Sequence, residues 1–266
     1  MSAPNRLVAL ALTAGVVGLP AHAGAQGFEY APGTGQYRIT TTTKSAQEAM
    51  GQKQEFESST NQLVTITLAR QNKDTLAMTA VVDSVSQTGP MGPTPGLEKL
   101  IGLKADARLS PAGAMYSVST KDSSVAGATA IADGLGRFLP KIRSRLAKGS
   151  TWTDTITGKI KQNGIDVDRQ TISKYAVVGD TTVAGEKSWK LARDDSTSMS
   201  GSGMMQGQAL TMEGTSIGKS ALFLSQKGTF IRAEGGEQST VKLVLSANGL
   251  EIGVVSNAST KIEKVK

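Results

Sequence analysis

From about residue 36 onward, hydrophobic and polar positions alternate along most of the chain. Val64, Ile66 and Leu68 fall on one side and Thr65 and Thr67 on the other. Leu76, Met78, Ala80 and Val82 repeat the arrangement against Thr79 and Asp83. Successive side chains of a strand point to opposite faces, so this period of two predicts strands with one buried face. The same reading covers 36–44, 52–59, 114–121, 151–161, 166–178, 187–194, 209–214, 220–226, 229–234, 240–246 and 251–257. Turn-forming residues separate the runs at Gln71-Asn72-Lys73-Asp74, Asn163-Gly164, Gly179-Asp180, Gly235-Gly236 and Asn248-Gly249. The two Asn-Gly pairs are the strongest signals, because a tight hairpin wants positive φ at both central residues. Short connections between many strands predict an antiparallel meander.

The period changes between Ser124 and Lys148. Ile131, Leu135, Phe138, Leu139, Ile142 and Leu146 fall largely on one helical stripe. Pro140 lies inside that stripe, and a proline within a continuous helix costs about 3 kcal/mol. Two short helices, or one kinked near Leu139–Pro140, are therefore expected, with Lys141, Arg143, Arg145 and Lys148 on the polar side. Residues 88–96 (TGPMGPTPG) hold three prolines and three glycines and predict an exposed loop, with a turn or two of helix over Leu97–Leu103. Glycine precedes an aromatic at the start of two β runs, in Gly35-Gln36-Tyr37 and in Gly149-Ser150-Thr151-Trp152. A duplicated sheet unit would produce such a pair. No low-complexity linker divides the halves, so residues 26–266 read as one β-rich domain.

The first 25 residues follow another logic. Arg6 precedes an uncharged, mostly apolar run of 13 residues, Leu7 to Leu19, and Pro20 and small residues at Ala21, Ala23 and Ala25 come next. This is the order of a secretory signal peptide, with cleavage expected after Ala25. A membrane-spanning helix needs roughly 20 apolar residues, so an uncleaved anchor is the poorer reading. The chain has no cysteine, and its single histidine, His22, leaves with the signal peptide. The mature chain would then have no Ser-His-Asp triad, no Cys-His pair, no Cys/His zinc site and no disulfide. The full chain carries a formal charge of +7, and without Arg6 the mature chain has 28 Lys and Arg against 22 acids, or +6. The cations are dispersed, as on an ordinary solvated surface, and no basic-aromatic cluster suggests nucleic acid.

A mainly β fold is expected: one large curved antiparallel sheet, a half-barrel or open barrel, with a short helical insertion in the middle near 124–148. In layout it resembles the half-barrel of bacterial lipoprotein-carrier proteins. The phrases Gly149-Ser150-Thr151-Trp152-Thr153-Asp154, Tyr175-Ala176-Val177-Val178-Gly179 and Val183-Ala184-Gly185-Glu186-Lys187-Ser188-Trp189-Lys190 also look like those of uncharacterised bacterial exported proteins. The resemblance implies a fold and no activity. Nothing in it assigns a residue a role.

Several motifs invite chemistry and fall short. Gly201-Ser202-Gly203-Met204-Met205-Gln206-Gly207 lacks the Gly-Lys-Ser/Thr ending of a phosphate loop and no helical pattern follows it. Asp194-Asp195 and Asp166-x-Asp168 lack further acidic ligands at calcium-loop spacing. Ser144 with Lys148, and Ser220 with Lys219, do not match Ser-x-x-Lys. Asn257-Ala258-Ser259 fits a glycosylation sequon of little weight in a bacterial-type chain. No catalytic residue, metal ligand or cofactor is expected.

The reading is thus an exported periplasmic or extracellular protein without catalysis, binding a hydrophobic ligand or acyl group in the concave face. Met78, Leu135, Phe138, Leu139 and Phe223 are the candidate lining, under a mobile helix. The alternative is a structural or assembly protein that binds another envelope protein through a sheet edge or loop. A carboxylate hydrolase ranks last, since no paired acids stand out. An integral outer-membrane barrel is disfavoured because the strands look short, the 4% aromatic content leaves no aromatic girdles, and the inserted helix has no place in one.

Overall fold

The computed structural model describes residues 27–265 apart from 91, 93–95, 122–124, 126, 144, 163–164, 206–207 and 246–248. The expected signal peptide, His22 and the Asn163-Gly164 turn lie outside the described residues, as does Asn248 of the other Asn-Gly pair. Eleven strands are present: β1 Gly33–Ala49, β2 Gln52–Asn72, β3 Thr75–Thr88, β4 Lys104–Leu109, β5 Met115–Thr120, β6 Thr151–Gln162, β7 Ile165–Val183, β8 Glu186–Met205, β9 Gln208–Ser225, β10 Phe230–Leu245 and β11 Leu250–Lys264. All pair antiparallel in one sheet of order β5-β4-β3-β2-β1-β11-β10-β9-β8-β7-β6. The sheet is curved and does not close, because its two edges, β5 and β6, do not pair. Between these edges runs the only α-helix among the described residues, α1 Ala128–Gly136, while the turn of helix expected after the Pro-Gly loop is a short 3-10 helix at Leu97–Leu100.

The strands are longer than the alternation alone suggested, with β2 at 21 residues and β8 at 20, so short strands no longer count against a barrel. β9 unites two predicted runs, β10 unites two more, and β2 absorbs 52–59 and 64–68. Gly235-Gly236, expected as a turn, lies inside β10 instead. A Cβ on Gly235 would stand 2.5 Å from both the Lys219 carbonyl and the Ser220 Cβ. The glycine marks close approach of the neighbouring strand where the sheet coils, as glycines inside strands often do. Gly179-Asp180 likewise sits at a bulge in β7, opposite Lys190 and Trp189, and not at a chain reversal. The paired Gly-aromatic starts are not equivalent, because β1 is central and β6 is an edge.

The expected helical segment is only partly helical. α1 stops at Gly136, and residues 137–143 and 145–150 cross the base of the sheet as an irregular strap. Pro140 disfavours helical geometry at Leu139, and tertiary partners satisfy the strap's backbone in place of helical bonds. Pro140 O accepts from the Tyr30 hydroxyl at 2.8 Å and Lys141 O from Trp152 Nε1 at 2.8 Å. The Ile142 N–H donates to Ala112 O at 2.8 Å. Leu139, Ile142 and Leu146 are buried at helix-like spacing without a helix, which is why the periodicity misled. The expected basic helical face therefore does not form. Lys141 and Arg143 instead reach Asp154 at 3.5 and 2.9 Å.

Candidate functional site

The register sorts the concave side chains into rows that run across the strands. At the base the rows are apolar and filled. Met78 of β3 is fully buried, Leu135 of α1 and Leu139 of the strap are nearly so, and Phe138 packs partly buried against them. The Phe138 ring meets Phe230 at 4.9 Å and Tyr37 at 5.1 Å between centroids. Tyr30, wholly buried, closes the base from the segment before β1, and its hydroxyl pKa is raised by burial. Burial likewise pushes the Tyr37 hydroxyl to about 12 while it donates to Phe230 O at 2.9 Å. Four of the five expected lining residues thus come together, but as a packed core under α1.

Phe223 does not join them. Strand parity puts Leu222 and Leu224 on the concave face, and Phe223 lies on the other side. There its ring is flanked by Lys190 at 6.0 Å and the Arg232 guanidinium at 5.8 Å. In the run Leu222-Phe223-Leu224 all three positions are apolar, so alternation could not tell which face the aromatic takes.

Above the apolar base the concave face turns polar. One row reads Ser45, Ser256, Ser239, Ser216, Thr197 and Thr171 across six strands. Hydroxyl pairs close it at both ends, Ser45 with Ser256 at 2.8 Å and Thr171 with Thr197 at 2.9 Å. Beside it Asp195 accepts from Ser173 at 2.6 Å, and Arg193 Nε lies 2.9 Å from Asp195 as an ion pair. Tyr175 stacks on Trp152 at 5.0 Å, and burial raises its hydroxyl pKa.

α1 is tied to this band from the β6 side of the opening. Arg169 of β7 grips both oxygens of Asp133, Nη1 donating at 3.0 Å and Nη2 at 2.5 Å, and Arg137 adds a third contact. Burial on its own would raise the Asp133 pKa, but the Arg169 hydrogen bond and the two guanidinium charges hold it below the ordinary range. A carboxyl whose native pKa is depressed stabilises the fold above its unfolded pKa and loses that contribution as pH falls through the native value. Asp133→Asn should therefore cost about 1–3 kcal/mol at neutral pH and remove the matching acid-side dependence below the ordinary aspartate range. Hydrogen exchange should quicken first in 128–139. Unchanged exchange there would mean the ion pair does not hold the helix.

Farther out the concave face is apolar again. Ala49, Ile252, Leu243, Met212, Gly201 and Val167 form one row across β1, β11, β10, β9, β8 and β7. Val254, Val241, Gly214 and Met199 form the next row inward. Ile165, Val167, Leu210 and Met212 are buried against half-buried Met199, Val241, Leu243 and Leu245, and neither α1 nor the strap takes part in this cluster. A row crossing six strands spans about 24 Å at ~4.8 Å per gap. Gly201 lets the row bend, since a Cβ there would lie 2.6 Å from Asp166 O.

No family model matches the chain. No curated protein matches it either. Solved structures with some likeness include a mutant porin of Rh. blastica, 8% identical, covering 85% of this chain and 99% of that one at a TM-score of 0.27. A Bacteroides fragilis protein described as exported and as having a YmcC-like fold is 11% identical over 86% of this chain and 97% of its own, TM-score 0.27. A DUF1329 family protein from Desulfovibrio piger is 10% identical over 87% and 86%, TM-score 0.17. Likeness of that degree assigns neither a family nor an activity.

The remaining motifs resolve into surface and sheet. Asp194 and Asp195 point to opposite faces of β8, so they do not converge on one ion. Asp168 pairs with Lys159 at 3.3 Å. Among the described residues no group of three acidic or metal-ligating side chains gathers. Gly201–Met205 belong to the end of β8, while Gln206, Gly207 and Ser144 lie outside the described residues. Asn257 is an exposed position in β11. An opening of about 500 Å³ over β6–β8 is lined largely by exposed side chains such as Thr157, Gln170 and Ser198, and its charged groups are ion-paired, Lys159 with Asp168 and Arg169 with Asp133. The outer apolar rows were not singled out from sequence. Their signal was present in Val241, Leu243 and Leu245, but their grouping depends on register between strands distant in sequence.

Proposed function

We propose that this is an exported, non-catalytic envelope protein, its first 25 residues removed, that holds an apolar chain such as an acyl group in the outer half of its concave face. The observation that carries the reading is the second apolar cluster, whose Met199, Val241, Leu243 and Leu245 stay half-buried with neither α1 nor the strap packed on them. The apolar rows run across six strands, an extended layout that suits a chain better than a compact ligand. The opposite face supports a water-borne carrier over a membrane-embedded barrel: Arg38, Lys44, Glu48, Asp168, Lys174 and Lys219 all point outward and are exposed. A lipid-facing wall would carry apolar residues there. The lack of Cys and His in the mature chain agrees with a binding role.

Solvent extraction of the purified protein followed by mass spectrometry tests the reading. Wild type should release an acyl compound, and Leu243→Asp, which puts a charge on a half-buried apolar wall, should release none. Equal recovery from both, or none from either after growth in lipid-replete cells, would count against it. The assembly alternative draws on the free edge of β6, where Ile156 is 37% exposed beside Thr155 and Thr157. Cross-linking from position 156 that captures one envelope protein would favour it.

A further inference from the structure

A second site lies at the opposite end of the strands. Two adjoining clefts, of about 380 and 420 Å³, meet at Arg145, Leu146 and Trp189. The first is walled by Phe28, Leu146 and Trp189, with Arg145 and Lys227 at its sides, and Lys148 lines the second. Trp189 is half-buried, packed on the main core and open on its other side to the clefts. The three cations are exposed and form no ion pair among the described residues. Glu29 and Gln226 also line the first cleft, and the Glu29 carboxylate is engaged by Arg70 at 3.2 Å. Asp180 belongs to the second cleft, on the Lys148 side. The first cleft therefore sets the Phe28 and Trp189 rings beside Arg145 and Lys227, cations that no protein carboxylate pairs among the described residues.

The arrangement calls for a ligand that is apolar at one end and anionic at the other. We propose that the Phe28–Leu146–Trp189 cleft binds a small amphiphilic anion, its phosphate or carboxylate between Arg145 and Lys227 and its hydrocarbon body on the Trp189 ring. Arginine and lysine supply charge-assisted hydrogen bonds to such a head, and the indole face accepts an apolar chain. A volume near 380 Å³ lies at the small end for ligand pockets and suits a single short chain. The site is distinct from the outer trough. Trp189 and Gly201 are twelve positions apart on β8, about 40 Å at ~3.3 Å per residue.

The chain has only two tryptophans, and the other, Trp152, is buried against Tyr175 away from the clefts, so a ligand-dependent change in emission that Trp189→Phe removes reports on this cleft. Titration with decyl phosphate below its micelle concentration should give a saturable blue shift in wild type that is absent in Trp189→Phe. Decyl maltoside, with the same chain and a neutral head, should bind about tenfold or more weakly, and inorganic phosphate alone should produce no shift. Arg145→Gln with Lys227→Gln, both at exposed positions, should weaken decyl phosphate by about tenfold and abolish its salt dependence. Leu243→Asp should leave the shift intact, which separates this site from the trough. No saturable shift in wild type, equal binding of maltoside and phosphate, or full affinity in the double variant would each overturn the proposal.

Discussion

Replacing Phe230 with alanine should destabilise the protein by about 3–5 kcal/mol, the range for removing a buried aromatic ring. Phe230 is 2% exposed and its ring contacts both Phe138, at 4.9 Å, and Tyr37, at 6.0 Å. The loss therefore falls where the sheet, α1 and the strap meet. Urea unfolding should show a lower midpoint with little change in slope, the mark of altered stability within an unchanged folded state. Phe138→Ala should cost less, because that ring is only partly buried. A loss below about 1 kcal/mol at Phe230 would mean that the base is not packed as described.

Gly113→Ala should be comparably damaging for a different reason. Gly113 has φ +88°, and a Cβ there would lie 2.6 Å from Pro140 O and 2.8 Å from the Tyr30 ring. A left-handed alanine costs roughly 1–2 kcal/mol, and forcing the strap away adds about 1–3 kcal/mol. Gly185→Ala is the internal control. Its φ is +80° with nothing within 4 Å, so only the conformational part should appear. Thermal or urea unfolding of the two variants isolates the steric part as their difference. Equal losses would show that the strap does not press on Gly113.

Much of this fold is written in local alternation, which is why most strands could be placed from residues such as Val64, Ile66, Leu76 and Met78. Their true lengths could not. Glycine serves both as a turn residue and as the small residue a coiled sheet needs, and only the approach of Lys219 and Ser220 reveals which role Gly235 plays. β4, at Lys104–Leu109, escaped notice because two of its three inward positions, Ala105 and Ala107, are too small for a strong hydrophobic signal and only Leu109 is large. The strap after α1 read as helix because apolar spacing records burial, not the backbone path that achieves it.

The candidate site was legible at one end only. Leu135, Phe138 and Leu139 do meet Met78, as the sequence led one to expect, yet their meeting fills the base. Phe28 and Tyr30 lie just beyond the expected signal peptide and complete that base. Nothing in their immediate neighbours announces the contact with the strap. The outer trough depends on the pairing of β1 with β11, which joins residues some two hundred positions apart, such as Ala49 and Ile252. Long-range register of that kind is decided by the whole sheet and not by any short window.

The most direct measurement of the central claim is labelling with a neutral photoreactive acyl probe, followed by peptide mapping. Binding in the outer trough predicts that adducts concentrate on the segments carrying Met212, Leu243 and Ile252, and that Leu243→Asp removes them. Adducts confined to Leu135, Phe138 and the strap would instead place the ligand beneath α1 and contradict the account.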